Sequence, residues 1–164
     1  MTFKRTFPVL LLLVFLASCG SSKKSIRAAN SSRHNAKDVM LRVSENARAF
    51  VGTKYQYGGK TKKGMDCSGL IYTAFLEENI PFPRTSGDMA RLGKKIPLQQ
   101  VNIGDLLFFR TNKKKRSVNH VGLVVETTIN EIFFIHSTTS RGVIISSLEQ
   151  NYWKDSFAMA RRVN

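Results

Sequence analysis

The hydrophobic and polar positions of this chain change period about two thirds of the way along. From Asp38 to Val51, the residues Val39, Leu41, Val43, Ala47, Phe50 and Val51 recur with mostly helical spacing, and Gly52 supplies a stop. Gly52 to Asp66 is rich in glycine and lysine and predicts a loop. Cys67 to Asn79 predicts a second helix whose apolar face is Leu70, Ile71, Ala74 and Phe75, ended by Ile80-Pro81. Pro81 to Gly93 reads as turns, with one short helical turn at Gly87 to Leu92. After that come short β-rich runs at Asp105 to Phe109, Val118 to Val125, Ile132 to His136, Gly142 to Ser146 and Phe157 to Val163, with a single helical turn at Leu148 to Trp153. Helices first and strands afterwards predict an α+β domain with an antiparallel sheet or small half-barrel.

The N-terminus has a different pattern. Lys4 and Arg5 precede an apolar run from Phe7 to Ala17, broken by Pro8, which is too short to span a bilayer and suits the core of a signal peptide. It ends in Leu16-Ala17-Ser18-Cys19. Small residues directly before a cysteine resemble the bacterial lipobox, which implies cleavage before Cys19 and acylation of its thiol and new amino group. Two or three acyl chains make a stable membrane anchor. An ordinary secretory signal with an incidental cysteine is the alternative. Residues 19–37 are polar, basic and aperiodic, so they predict a flexible tether, with His34 a solvated member of it. Gly20 after the lipidated position resembles an outer-membrane sorting signal. The expected organisation is therefore a signal at 1–18, a lipid-anchored tether at 19–37 and one domain at 38–164.

Composition narrows the class. Hydrophobic content of 42% excludes a wholly disordered chain, and two cysteines, Cys19 and Cys67, exclude a disulfide scaffold or a four-cysteine zinc site. Lys and Arg total 26 against 11 Asp and Glu, a formal charge of +15 in 164 residues. Much of this charge sits in the tether, in Lys54 to Lys63 and in Lys113 to Arg116. An exported lipoprotein does not meet nucleic acid, so anionic headgroups or an acidic wall polymer are the available polyanions; plain solvated loops are the competing account.

Asp66-Cys67-Ser68-Gly69 stands where the glycine-rich loop meets the second helix. A cysteine in a first helical turn lies near unpaired N–H groups and the positive end of the helix dipole, which lower a thiol pKa. A buried structural thiol is the bland alternative. His120 and His136 each lie in an apolar strand, His120 sharing its predicted face with Val118. Thiol chemistry needs a base within hydrogen-bond reach and a group to orient that base, and these three residues supply one for each role. A zinc site from Cys67, His120, His136 and Asp66 is the metal alternative, but two histidines sixteen positions apart fit no short zinc spacing.

Six segments then occur in order: Gly52-Thr53-Lys54-Tyr55-Gln56-Tyr57-Gly58-Gly59, Asp66-Cys67-Ser68-Gly69-Leu70, Pro83-Arg84-Thr85-Ser86, Gly104-Asp105-Leu106-Leu107-Phe108-Phe109, Asn119-His120-Val121-Gly122 and Phe134-Ile135-His136-Ser137-Thr138. Together they resemble the NlpC family of cell-wall cysteine peptidases, over about Val43 to Val163. The resemblance implies a papain-like α+β domain, with N-terminal helices packed on a central antiparallel sheet. It implies hydrolysis of peptidoglycan stem peptides, typically between γ-D-glutamate and the diamino acid, with Cys67 as nucleophile, His120 as base and His136 as its orienting partner. Tyr55, Asp66, Ser68, Arg84 and Ser86 would contact substrate, Asp66 by meeting an ammonium unless it caps the helix. No metal or cofactor is implied, and the expected partners are stem peptides and, through Cys19, a membrane. A monomer facing the periplasm from the outer membrane is the expected setting. A same-fold amidase or acyltransferase and a non-catalytic wall-binding lipoprotein are the rival readings. The basic insert Lys113 to Arg116 departs from the family pattern.

Overall fold

The computed structural model describes residues 21–164 apart from Lys113, Lys115 and Asn164, with side chains from Asn35 onward. The expected signal peptide and Cys19 lie outside the described residues. Residues Asn35–Asn164 form one compact unit. Among the described residues no helix is long and apolar enough to cross a membrane.

The first helix, α1 (Ser21–Arg48), starts well before Asp38 and runs through most of the stretch read from sequence as a flexible tether. Ala28, Ala29 and Ala36 favour helix, and neither proline nor glycine interrupts the chain between Ser21 and Val51. Within the compact unit, Val43 and Ala47 of α1 are fully buried and Val39 and Met40 pack beside them, whereas Leu41 and Val51 face solvent. A turn then leads to Gly52, whose φ of 85° ends the helical path.

The loop that follows carries a small ribbon, β1 (Lys60–Thr61) and β2 (Gly64–Met65), and feeds α2 (Cys67–Leu76). Then come α3 (Ser86–Met89), β3 (Lys94–Ile96), a 3₁₀ turn at Leu98–Gln100, β4 (Leu106–Phe109), β5 (His120–Thr127), β6 (Ile132–Thr138), β7 (Gly142–Ser147), α4 (Asn151–Ser156) and β8 (Phe157–Arg162). Six strands form one antiparallel sheet in the order β3-β8-β4-β5-β6-β7. The α+β expectation holds.

Both faces of this sheet are covered, which explains why β4 is Leu-Leu-Phe-Phe without a polar residue. Leu106 and Phe108 join Val121, Leu123, Ile135 and Val143 against α1 and α2. Leu107 and Phe109 join Val124, Phe134, Leu148 and Trp153 on the opposite face. The sequence had put Val118 on the His120 face. In the structure β5 begins only at His120, so the alternation does not reach back, and Val118 packs with the α2-side core.

The turn between β6 and β7 is fastened to the loop after α1. Gly52 N–H donates to the Val143 carbonyl at 2.9 Å and Val143 N–H to the Thr53 carbonyl at 2.8 Å. Gly142 lies between them at φ 66°, and any Cβ there would collide with the Thr53 carbonyl. Gly142→Ala should therefore destabilise the domain by about 2 kcal/mol or more. The check is a urea titration, where the midpoint should fall with little change in slope.

Candidate active site

Cys67 is the first residue of α2, and the helix start is held by its N-cap, Asp66. One carboxylate oxygen of Asp66 accepts from Gly69 N–H at 2.6 Å and from the Ser68 hydroxyl at 3.2 Å; the other accepts from Gly58 N–H at 2.8 Å. Arg84 closes the arrangement as a fork, at 3.0 and 2.8 Å to the two oxygens, and also donates to Ser68 Oγ at 2.9 Å and the Gly59 carbonyl at 3.3 Å. Burial alone would raise the Asp66 carboxyl, but the Arg84 hydrogen bond and the Gly69 and Gly58 N–H groups outweigh it and hold the group below the usual carboxylate range. Gly69 lies so close to the Gly59 carbonyl that a side chain there has no room. Asp66, Ser68 and Arg84 thus spend their polar atoms on one another and on the loop, and Asp66 caps the helix.

The histidines sit on the sheet face opposite α2. His120 Nε2 lies 3.0 Å from His136 Nδ1, and His136 Nε2 lies 2.9 Å from Ser146 Oγ. Three aromatic rings enclose the pair. Trp153 stacks on His120 with centroids 5.3 Å apart and meets His136 edge-on at 4.5 Å, Phe134 approaches His136 at 4.7 Å, and Phe109 reaches His120 at 6.0 Å. This desolvation pushes His120 down from 6.5 to about 4. His136, fully buried, is held lower still, by burial first and then by the charges of His120 and Arg141.

The thiol and the first of these rings share one cavity. Cys67 is a free, half-buried cysteine, and the Val121 N–H, one residue past His120, lies on the side of the sulfur where it favours the thiolate. The expected lowering by the helix start is overturned. Burial is the largest influence and raises the thiol above its ordinary value, Asp66 adds to the rise, and the N–H groups of Val121, Ser68 and Cys67 offset it only in part. Cys67 and His120 open on a common cavity of about 450 Å³, lined also by Tyr55, Asn119, Ser137, Arg141 and Trp153. Tyr55 is held by a bridge to Met65, and its hydroxyl is pushed up by burial and then by Cys67 and Asp66.

The structure therefore brings Cys67, His120, His136 and Tyr55 to one place. Asp66, Ser68 and Arg84 form the supporting cap behind the cysteine. Ser86, in the first turn of α3, is outside the set that lines the cavity. The zinc alternative lacks a fit: Asp66 turns to Arg84, and among the described residues no three His, Cys, Asp or Glu side chains are placed to hold one metal ion. Sequence reasoning missed Ser146, Trp153 and Arg141. Trp153 carried one signal, being the single tryptophan of the chain and lying in a predicted helical turn.

Comparison with known proteins places the chain in a family. The pattern of the NlpC/P60 family matches residues 52–162. Over 97% of this chain and 92% of the relative, the sequence is 32% identical to the murein DD-endopeptidase MepS/murein LD-carboxypeptidase of Escherichia coli K12. It is 35% identical to the γ-D-glutamyl-L-lysine dipeptidyl-peptidase of Bacillus subtilis, over 73% of this chain but 40% of that enzyme. A crystal structure of an NlpC/P60 family protein from Bacillus cereus superposes with a TM-score of 0.66 and 31% identity, covering 75% of this chain and 39% of that one. With the loop, the cysteine-bearing helix and both histidine strands all inside the matched region, this chain belongs to the NlpC/P60 family.

Proposed function

We propose that this protein is a cysteine-type peptidoglycan endopeptidase that hydrolyses stem-peptide amide bonds, with Cys67, His120 and His136 as its reacting line. The observation that carries the reading is a half-buried thiol at a helix start opening on the same cavity as a histidine whose far nitrogen is already held by a second histidine. The bond we assign is the one between γ-D-glutamate and the diamino acid. The full-length similarity to a relative named as a murein DD-endopeptidase favours a second reading, cleavage in the cross-link. Membrane anchoring through acyl chains on Cys19, on the outer membrane facing the periplasm, belongs to the same proposal.

The hydrogen bonds support an assignment of the acting atoms. His120 Nε2 is occupied by His136, so Nδ1 is the nitrogen left for the thiol proton. In that tautomer Nε2–H of His120 donates to His136 Nδ1, and Nε2–H of His136 donates to Ser146 Oγ. His136, pushed far down, stays neutral and orients the base. In the resting site burial opposes both the thiolate and the imidazolium, so Cys67 and His120 rest neutral, and the proton moves as a scissile carbonyl arrives. The thiolate attacks the carbonyl, and the N–H groups at the start of α2 receive the oxyanion. His120 returns its proton to the leaving amine, and water activated by neutral His120 hydrolyses the thioester.

Digestion of purified sacculi followed by mass spectrometry of the new termini tests the reaction and separates the two bonds; a conjugated product would instead mark a transferase. Cys67→Ala should abolish cleavage while wall binding survives. His136→Ala should lower kcat by about 10²–10³, less than loss of the nucleophile, because only orientation is degraded.

The acid limb of kcat/KM should fall near pH 4, since His120 stays unprotonated until the pH drops to about 4. The basic limb should lie above the ordinary thiol value of 9.0, because the Cys67 proton is held more tightly. An acid limb near 6.5 would show an ordinary solvated histidine and sink the resting-state assignment.

Arg84→Met leaves the Asp66 carboxylate without its cation. It should cost about 2 kcal/mol after allowance for solvent at the one-third exposed arginine. It should also move the basic limb upward, since unbalanced Asp66 charge raises the thiol further. Urea denaturation and a pH–rate profile measure the two effects.

A further inference from the structure

Arg141 stands on the turn that joins β6 to β7 and lines the reaction cavity beside Thr139 and Ser140. It is the only lysine, arginine, aspartate or glutamate among the lining residues, and the cavity holds no carboxylate to answer it. Elsewhere in the chain Arg42, Arg84, Arg91 and Arg162 are each paired with an acid. Among the described residues the Arg141 guanidinium has no hydrogen bond and no ion pair. Its backbone is nonetheless anchored: Arg141 N–H donates to Thr138 Oγ1 at 3.1 Å, and the next two residues are pinned against Thr53. A fixed turn that sets an exposed, unanswered fork donor at the wall of this cavity suits carboxylate recognition.

We propose that Arg141 is a specificity-determining residue that binds a free carboxylate of the peptide held in this cavity. The proposal rests on the peptidase reading for its substrate class and deepens it. Its charge also opposes positive charge on His136, after burial and His120. Peptides with the carboxylate masked as an amide lose the contact with Arg141.

A stem tetrapeptide offers this carboxylate from three sources: the D-glutamate α-carboxyl, the diamino-acid carboxyl and the C-terminus. The test uses the free-acid peptide and three versions, each with one of these groups amidated, against wild type, Arg141→Gln and Arg141→Lys. One amidated peptide should show KM raised about tenfold in wild type, the size of one solvent-screened charge-assisted hydrogen bond. Arg141→Gln should raise KM for the free-acid peptide by a similar factor, with a smaller fall in kcat, and should show no additional loss with that same amidated peptide. Arg141→Lys should recover part of the affinity. Calorimetric binding of the same peptides to Cys67→Ala, with and without Arg141→Gln, reads the contact without cleavage. If binding shows the Arg141–carboxylate coupling but wild type cleaves nothing, the peptidase reading falls and the Arg141 assignment stands. If Arg141→Gln weakens all four peptides equally, or none, in both readouts, the assignment is overturned whatever the enzyme cleaves.

Discussion

The forked ion pair between Arg84 and Asp66 joins three parts of the chain that otherwise share little. Asp66 belongs to the end of the glycine-rich loop and the start of α2, Arg84 to the segment before α3, and the Gly58 and Gly59 backbone to the loop's interior. A carboxylate taken mostly out of water is costly unless every lone pair is used. Here two oxygens receive Gly58, Gly69, Ser68 and both guanidinium arms. The result is a helix start whose position is over-determined. The sulfur of Cys67 has no such set of partners of its own, and its place follows from this neighbouring pair.

A second constraint operates on the far face of the sheet. Two imidazoles in line would exchange hydrogen-bond roles freely in water. Enclosed by Phe109, Phe134 and Trp153, with Ser146 closing the far end, they are held in one line of hydrogen bonds. Burial also sets the protonation state, because neither ring gains a carboxylate partner that would favour its charged form. Orientation and basicity therefore come from the same aromatic packing, and Trp153 serves both.

Much of this was readable before any coordinates. The strands β4, β6, β7 and β8 appear within one or two residues of their apolar runs, since alternation and turn residues mark them directly. Cys67, His120 and His136 stood out by residue type. What was hidden depends on partners across space. Strand β3, Lys94–Ile96, is short and exposed, and exists because its backbone pairs with β8. The ribbon at Lys60–Thr61 and Gly64–Met65 is two residues per strand and glycine-flanked. Ser146 reaches His136 because β6 and β7 pair in one register, and Arg141 reaches the cavity because their turn is pinned to Thr53. The thiol's direction of shift was also hidden: the helix start is visible in sequence, but the burial that outweighs it is not.

The upward-shifted thiol has a consequence for survival of the enzyme between encounters with substrate. Peroxide attacks sulfur as the anion, and the sulfenic acid it forms, itself reversible, leads on to the irreversible sulfinic and sulfonic acids. A half-buried sulfur that keeps its hydrogen offers oxidants little to react with, although it opens on a cavity. The desolvation that holds the proton on this thiol thus also protects chemically a residue that, among the described residues, has no neighbouring cysteine to repair it.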